Sequence, residues 1–252
     1  MTFVSESRPV VGMTNLFLNA LPPDSLASLL PQLKYVVLPR LTPCTVPDEA
    51  VEVVRFPLDG MVSFVAQFAD GSLHEVDVTG REGCVGAIEV LCGMSASFES
   101  SVQIAGSFLE IDAAAFAHEL RRNAGLRDLL LRYAYAVQGA RSLLAVCNRV
   151  HSIETRCARW LLMAHDRVRS DAISLTHEFL GKMLNVRRAG ITEAAIALRD
   201  KGAIGYRHGS VTVLSRSILE SLSCECYKTA NDRATSILGY DVRKETQPGG
   251  AI

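Results

Sequence analysis

The sequence predicts an α+β protein in which an antiparallel β barrel or sandwich comes first, a long helix follows, and a winged helix-turn-helix comes last. Short apolar runs separated by turn residues fill the N-terminal part, and from about Asp112 the apolar period changes from two to between three and four. Charge follows the same division. Residues 14–118 hold four Lys/Arg against thirteen Asp/Glu, whereas residues 119–150 and 151–221 each carry a net charge of +4. We therefore expect two units with different partners.

The composition indicates a globular, cytoplasmic protein. The chain has 252 residues, of which 48% are hydrophobic, enough for two modest cores. No segment approaches the roughly 18 uncharged apolar residues of a membrane-spanning helix, and the N-terminus lacks the basic start and apolar run of a signal peptide. The seven cysteines are odd in number and scattered, which favours reduced thiols over a disulfide framework. We expect no membrane partner.

Short strands dominate the N-terminal part after two short helices within residues 14–30. Turn sequences such as Pro57-Leu58-Asp59-Gly60 and Ala69-Asp70-Gly71 separate the apolar runs. This spacing is typical of an antiparallel barrel or sandwich. The predicted strands are residues 35–38, 51–56, 61–68, 73–78, 102–105 and 108–111.

Residues 119–150 predict a long dimerisation helix. Seven residues follow one another at spacings of 4, 3, 4, 3, 4 and 3, the repeat that keeps one seam against a partner helix. A long helix packed on its own barrel is the alternative, and the pattern alone leaves it open. The flanking charges of Arg127, Asp128, Arg132 and Arg141 favour a dimer. The predicted seam consists of Leu126, Leu130, Tyr133, Val137, Ala140, Leu144 and Cys147.

The segment from Ser174 to Leu214 predicts a helix-turn-helix with a wing. Thr176 can cap a short first helix, and Asn185 suits the left-handed conformation that the turn requires. In the second helix, Ile191 and Leu198 belong to an apolar face, while Arg187 and Arg188 occupy its first turn. Two short strands then flank residues 207–209, as expected of a wing.

This arrangement has a chemical reason to bind double-stranded DNA. An α-helix fits the major groove, and Arg188 at its first turn can donate two hydrogen bonds to guanine O6 and N7. Arg187 and Lys201 are expected at phosphates. A solvated Arg-Arg pair on an ordinary helical hairpin is the alternative, but the turn, the inner face, the hairpin and the basic charge agree. The remaining candidate DNA-binding residues are Thr176, His177, Ala189, Thr192, Glu193, Arg207 and His208.

This order of units resembles the Crp/Fnr family of bacterial transcription regulators over residues 14–221. The stretches FPLDGMVSF, GREGCVG, CNRVHSIETRCARWLLMAHDRV, LTHEFLGKMLNVRRAGITEAA and CECY resemble one subgroup of that family. The resemblance implies a cyclic-nucleotide-binding-like β-roll sensor domain (14–118), a dimerisation helix (119–150) and a Crp-type winged helix-turn-helix DNA-binding domain (151–221). It also implies a homodimer on an inverted-repeat site, Arg188 as the base-reading arginine and Thr176 as a phosphate contact. An activator of this type is also expected to contact RNA polymerase.

Two positions depart from the family's pattern. Arg187 stands where many members have a serine that caps the recognition helix, so we expect that cap to be missing. Cyclic-nucleotide-binding members place a Gly-Glu pair and an Arg-Ser pair around the ligand, but this chain has Gly86-Ala87 and no Lys or Arg between Glu82 and Leu120. Losing a charge-assisted hydrogen bond to phosphate costs on the order of 1.5 to 3 kcal/mol, so we expect no tight cyclic AMP binding. The effector stays unknown, and its candidate pocket is Gly83, Gly86, Ala87, Ser100 and Ser101.

Other chemistries are not indicated by the motifs. The chain has no Walker A loop, no G-x-S-x-G elbow and no H-E-x-x-H pair, so we expect no enzyme. Cys224-x-Cys226 lacks an evident partner pair, so we expect no metal and no cofactor. A signalling or scaffold module with a ligand-sensing β-roll is the alternative function. Residues 222–252 are predicted to be a tail that is disordered from about Asn231.

Overall fold

The structure, a computed structural model, describes residues 14–168, 170–207 and 209–244, apart from the side chains of residues 177 and 178. Antiparallel sheets come first, a long helix follows, and a helix-turn-helix lies near the C-terminus, so the predicted α+β fold class is confirmed. The helices are α1 (Leu16–Asn19), α2 (Pro23–Leu29), α3 (Ala87–Cys92), α4 (Ala113–Arg122), α5 (Ala124–Val150), α6 (Ile153–Val168), α7 (His177–Leu184), α8 (Arg188–Asp200), α9 (Arg216–Leu222) and α10 (Glu225–Leu238), with a 3-10 turn at Leu30–Gln32. The strands are β1 (Lys34–Leu38), β2 (Pro43–Thr45), β3 (Val53–Pro57), β4 (Met61–Gln67), β5 (Leu73–Thr79), β6 (Glu99–Ile104), β7 (Gly106–Asp112), β8 (Ala172–Ser174), β9 (Ile204–Arg207) and β10 (Ser210–Val213).

Two antiparallel sheets form the N-terminal unit, which we call the β-roll. Their strands pair in the orders β1-β7-β3 and β2-β6-β4-β5. Alternate residues such as Val54, Phe56 and Leu109 point into a core that also takes Phe116 from α4 and Leu126 from α5. Each of the six predicted strand segments overlaps a strand of these sheets, whereas β2 and α3 were not predicted.

The long helix α5 begins where the side chain of Asn123 accepts a hydrogen bond from the Leu126 amide, and His151 ends it. Its 27 residues span about 40 Å. One face lies against the β-roll and α10, and the opposite face is exposed. None of the helices that the structure describes combines the length and the apolar character needed to cross a lipid bilayer.

The predicted dimer seam lies inside the protomer, which corrects the prediction. Leu126 and Leu130 are completely buried in the β-roll core, and Tyr133 contacts Phe17 there. Farther along, Ala140 and Leu144 line a partly open cavity, Val137 packs against the core, and Cys147 lies beside Cys224. A spacing of 4 and 3 shows that one helix face is buried, but not what covers it. The alternative of a helix packed on its own barrel describes Leu126, Leu130, Tyr133 and Val137, whereas Cys147 packs beside the start of α10.

The C-terminal segment is also different from the prediction. Residues 225–238 form α10, which packs along α5 and buries Cys226, Tyr227 and Leu238. Beyond this helix, the carbonyls of Val242 and Lys244 accept hydrogen bonds from Arg81 at 2.6 and 2.7 Å. The expectation of disorder from about Asn231 is therefore wrong as far as residue 244, and residues 245–252 lie outside the described part.

Candidate functional site

The turn between α7 and α8 has the local geometry that the sequence predicts. Thr176 precedes α7, and its Oγ1 accepts a hydrogen bond from the Phe179 amide at 3.2 Å. Asn185 ends α7 in the left-handed conformation with φ of 52°, and the Val186 amide donates to the Gly181 carbonyl. The chain therefore turns sharply, and α8 begins three residues after Asn185.

Helix α8 separates an inner face from an outer face. Ile191 and Leu198 have no exposed surface, and Ala194 and Ala195 are also buried. Arg188, Ala189, Glu193 and Ile196 are exposed on the other side, and Thr192 is half-buried, with Oγ1 donating to the Arg188 carbonyl at 3.1 Å. The outer face is free of packing along a length that suits the major groove.

The N-terminus of α8 lacks a side-chain cap. Arg187 is the N-cap residue and makes no capping hydrogen bond, as predicted from the missing serine, and the first turn carries no acidic residue. The first amide groups of α8 therefore keep their partial positive charge, beside two exposed guanidinium groups. Among the ion pairs of the described residues, none includes Arg187 or Arg188. Such a helix end attracts phosphate groups.

The wing and its surroundings hold the other candidate residues. Strands β9 and β10 form the predicted hairpin, with β8 added to its edge, and Arg207 is exposed at its end. Lys201, predicted at a phosphate, pairs with Glu154 through Nζ and Oε1 at 2.5 Å. His208 lies outside the described residues, as does the side chain of His177.

The helix-turn-helix packs directly against the β-roll through α7. The Arg40 guanidinium lies 4.6 Å from the centre of the Phe179 ring, and Ser63 Oγ contacts Met183 Sδ at 3.7 Å. An open cavity of about 580 Å³ separates residues 71–74, at the β4–β5 turn, from residues 181–188. The N-terminus of α8 therefore faces the β-roll across this cavity.

One carboxyl group lies between the β-roll and helix α6. Glu75 on β5 accepts hydrogen bonds from Trp160 Nε1 at 2.8 Å and from Ser63 Oγ at 2.9 Å. Burial raises the pKa of Glu75 to about 8, and these two hydrogen bonds oppose the rise. Desolvation also raises the pKa of the neighbouring Asp77, although Arg141 counteracts it from 2.9 Å. The carboxyl group of Glu75 therefore keeps its proton to a higher pH than an ordinary glutamate does.

The candidate effector residues mostly serve internal packing. Ala87 and Ser100 have no exposed surface, and Ser100 Oγ lies 2.6 Å from Thr45 Oγ1. A Cβ atom on Gly83 would lie 2.1 Å from the Tyr133 hydroxyl, so glycine is required there. Gly86 begins α3 with φ of 83°, and Ser101 pairs with β2 and β4. An effector pocket at these residues stays a prediction.

Arg55 reaches this region from outside the interval between Glu82 and Leu120. Arg55 and Val85 exchange backbone hydrogen bonds, which places Arg55 beside the segment that holds Gly86. Its guanidinium is already paired with Glu110, with Nε and Oε1 2.7 Å apart, and also donates to the Cys44 carbonyl. A cyclic phosphate would have to compete with Glu110 for this cation.

The structure supplies the partners that Cys224 and Cys226 lack in the sequence. Cys147 and His151, at the end of α5, come together with these two cysteines, and all four ligand atoms lie within 4.8 Å of one another. Sequence reasoning missed this cluster, because it assigned Cys147 to the dimer seam. The spacing of four between Cys147 and His151 was the available signal, since it places both side chains on one helix face.

These features define a protein with a winged helix-turn-helix joined to a β-roll by a long helix. Residues 155–222 match the sequence model of the Crp-like helix-turn-helix domain. The chain combines this domain with the fold of Crp/Fnr-family transcription regulators, so the resemblance seen in the sequence is confirmed.

Several solved structures share this fold at low sequence identity. A CRP-family transcriptional regulator from Thermus thermophilus is 20% identical, with a TM-score of 0.57, over 75% of this chain and 96% of that one. FixK2 from Bradyrhizobium japonicum is 16% identical, with a TM-score of 0.57, over 76% of this chain and 98% of that one. The c-di-GMP responsive regulator CLP of Xanthomonas campestris is 15% identical, with a TM-score of 0.56, over 77% of this chain and 100% of that one. Among curated proteins, none matches this chain in sequence.

Proposed function

We propose that this protein is a sequence-specific DNA-binding transcription regulator that acts as a homodimer on an inverted-repeat site. The observation that carries the proposal is the N-terminus of α8, where Arg187 and Arg188 are exposed beside an uncapped helix end within a Crp-like helix-turn-helix. Both the partial charge of the helix and the two guanidinium groups attract the DNA backbone.

The candidate residues take different roles on the DNA. Arg188 reads a guanine in the major groove, and Ala189, Thr192 and Glu193 face the neighbouring base edges. The flanking residues Thr176, His177, Arg187, Lys201, Arg207 and His208 contact phosphates and hold the protein in register. Lys201 has to leave Glu154 to do so, which makes its contribution the smaller one.

The dimer forms through the exposed face of α5 rather than through the seam that the sequence predicted. Leu131, Tyr135, Val146 and Val150 are 52%, 68%, 57% and 63% exposed. With Gly139 and Ser142 between them, they follow one another at spacings of 4, 4, 3, 4 and 4, so they share one stripe along the helix. An exposed apolar stripe of this length on a helix that already has one buried face suits a second copy of α5.

The β-roll senses a signal other than cyclic AMP. Arg55, the cation beside the segment that holds Gly86, is held by Glu110, and the Glu of the family's Gly-Glu pair is replaced by Ala87. In an activator, the same dimer also contacts RNA polymerase.

Selection of the purified protein on random duplex DNA at two salt concentrations tests the DNA-binding proposal. We expect an enriched inverted repeat, with half-sites about one helical turn apart, that is retained at the higher salt concentration. Retention that is independent of sequence and is lost at higher salt, both with and without cell extract, would contradict specific reading.

Light scattering on Tyr135→Glu tests the dimer proposal separately. A glutamate at this position would place a charge inside the dimer interface, so it should convert the dimer to a monomer while the far-UV circular dichroism stays unchanged. Ala145 is exposed on another face of α5, so Ala145→Glu is the control, and this variant should stay dimeric. A Tyr135→Glu dimer as stable as the wild type would exclude this stripe.

A further inference from the structure

Three cysteines and one histidine meet where α5 ends and α10 begins. Cys147 Sγ lies 3.5 Å from Cys224 Sγ, and Cys226 Sγ lies 3.8 Å from His151 Nδ1. All four ligand atoms lie within 4.8 Å of one another. We propose that this cluster is a structural zinc site in which one Zn²⁺ is bound by three thiolates and the Nδ1 atom of His151.

The distances suit a tetrahedral ion. Zinc binds sulfur at about 2.3 Å, so two thiolates of a tetrahedral site lie about 3.8 Å apart, close to the distances found here. The three sulfur atoms belong to buried, free cysteines. Because ligand atoms this close together enclose room for a single ion, a multinuclear iron–sulfur cluster does not fit.

Two helix ends hold the ligands in place. Cys147 lies in the last turn of α5, and His151 follows four residues later as its C-cap. Cys224 is the N-cap of α10 and makes no capping hydrogen bond, and Cys226 lies in the first turn of α10. A cysteine is a poor N-cap compared with serine or aspartate, so its presence at this position favours a role for the sulfur.

The histidine has the second partner that zinc-bound histidines require. His151 Nε2 lies 3.3 Å from Glu225 Oε2. With Nδ1 on the metal, the Nε2 proton is donated to this carboxylate, which fixes the tautomer and the ring orientation. The side chain of Glu225 is 77% exposed, so its packing role is small.

Two buried arginines supply an independent observation. Arg156 and Arg159 are 7% and 5% exposed, and neither takes part in an ion pair among the described residues. The Nε atom of each is buried without a hydrogen-bond partner in the described part of the chain. Both guanidinium groups lie near enough to Cys147 and Cys224 for Coulombic attraction to a thiolate at either position. A Zn²⁺ ion with three thiolates and a neutral imidazole has a net charge of −1, which offsets one of these two positive charges.

The position of the site gives the metal a structural consequence. The chain leaves α5 at His151, forms α6 to α9 (residues 153–222, the winged unit), and returns at Cys224. One Zn²⁺ would therefore tie both ends of the winged unit to the long helix. With four protein ligands and no open position, the site is closed and structural rather than catalytic. This inference does not depend on what the winged unit binds.

Metal analysis of the full-length, untagged protein in reducing buffer tests the proposal. We expect about one zinc per chain, and replacement by Co²⁺ should produce thiolate-to-cobalt charge transfer and strong visible bands of a tetrahedral site. Reduced protein with seven titratable thiols that takes up neither ion would overturn the proposal.

Two variants and one control identify the ligands. Cys226→Ser should lower the affinity for Co²⁺ more than a hundredfold and weaken the charge-transfer band. Glu225→Gln, which changes only the partner of His151, should lower the affinity by about 10- to 100-fold and leave the fold intact. Cys92→Ser removes an exposed cysteine far from the cluster in sequence and should bind metal like the wild type. Unchanged affinity in both Cys226→Ser and Glu225→Gln would place the metal elsewhere and overturn the proposal.

Discussion

Two arginines of the β-roll, Arg55 and Arg81, are largely enclosed by the protein, whereas the two arginines at the start of α8, Arg187 and Arg188, are exposed to solvent. Arg55 is paired with Glu110, and Arg81 is 2% exposed and donates to the Val242 and Lys244 carbonyls. Arg187 and Arg188 are exposed, and no described ion pair includes them. The net charge of each region does not show which of its arginines are available to a ligand. The comparison shows that a cation indicates a ligand surface when it is exposed and unpaired, and indicates structure when it is buried and paired.

The largest effect should come from breaking a buried pair between the units. Arg167 on α6 binds Glu82 at 2.7 Å, and the side chains are 10% and 16% exposed. Because Arg167→Met leaves Glu82 buried without its cation, we expect the free energy of unfolding to fall by about 3 to 5 kcal/mol in urea titrations. Arg188 is exposed, so Arg188→Met should change the free energy of unfolding by less than about 0.5 kcal/mol. Equal losses in both variants would contradict the distinction between buried and exposed arginines.

A partly buried acid, Glu75, extends the comparison from cations to a carboxyl group. Its folded-state pKa of about 8 lies above the usual value of 4.5, so the unfolded chain ionises first as pH rises. The stability of the wild type should therefore decrease from about pH 4.5 to about pH 8 and then level off. Glu75→Gln removes this titration, and we expect it to be more stable at pH 7 by about 1 to 3 kcal/mol. Glu193→Gln, exposed on α8, should keep the wild-type pH profile, and a pH-independent wild type would contradict the prediction.

Arg188→Ala tests whether an exposed arginine of the helix-turn-helix reads DNA. We expect the affinity for the selected DNA site to fall by about 1 to 3 kcal/mol in calorimetric titrations, with specificity relaxed at one base pair. Binding to random DNA should change little. Arg199→Ala is the matched control, because Arg199 is exposed in the last turn of the same helix and pairs with Asp200 at 2.8 Å. A similar loss in both variants would indicate general charge attraction instead of base reading.

The smallest effect concerns the uncapped end of α8. Arg187→Ser restores a capping hydroxyl, so we expect a gain of about 0.5 to 1 kcal/mol in the free energy of unfolding. The same change removes a phosphate contact and should reduce the slope of log affinity against log salt by about one. Arg187→Ala separates the two effects, since it should lose the contact without gaining the cap. Stability that is identical in both variants would show that the cap contributes nothing.

Local patterns were sufficient where the chain's neighbours in sequence are also its neighbours in space. The Thr176 cap, the Asn185 turn and the wing hairpin depend on residues within a few positions of one another. The strand segments of the β-roll have a local apolar period, although most of them pair with distant strands, so turn chemistry and apolar period predicted all of these features. The missing cap at Arg187 was predicted from the family resemblance, because many members have a capping serine at this position.

Long-range contacts account for what the sequence did not reveal. The α5 period was detected correctly, but it contains no information about whether Leu126 and Tyr133 face a partner or the chain's own β-roll. In α10, Tyr227, Ala230, Ala234 and Leu238 follow a helical period that the polar composition of the last residues hid. Cys147 and Cys224 are separated by 77 positions, so no local pattern brings them together.

The hydrogen bond between Trp160 and Glu75 has a practical consequence. The chain contains one tryptophan, and its indole lies where the β-roll meets the winged unit, 2% exposed and 2.8 Å from a carboxyl oxygen. The fluorescence of this tryptophan therefore reports on the boundary between the β-roll and the winged unit without an added label. A red shift on adding DNA or a candidate effector would mean that water reaches the indole and that the two units have moved apart.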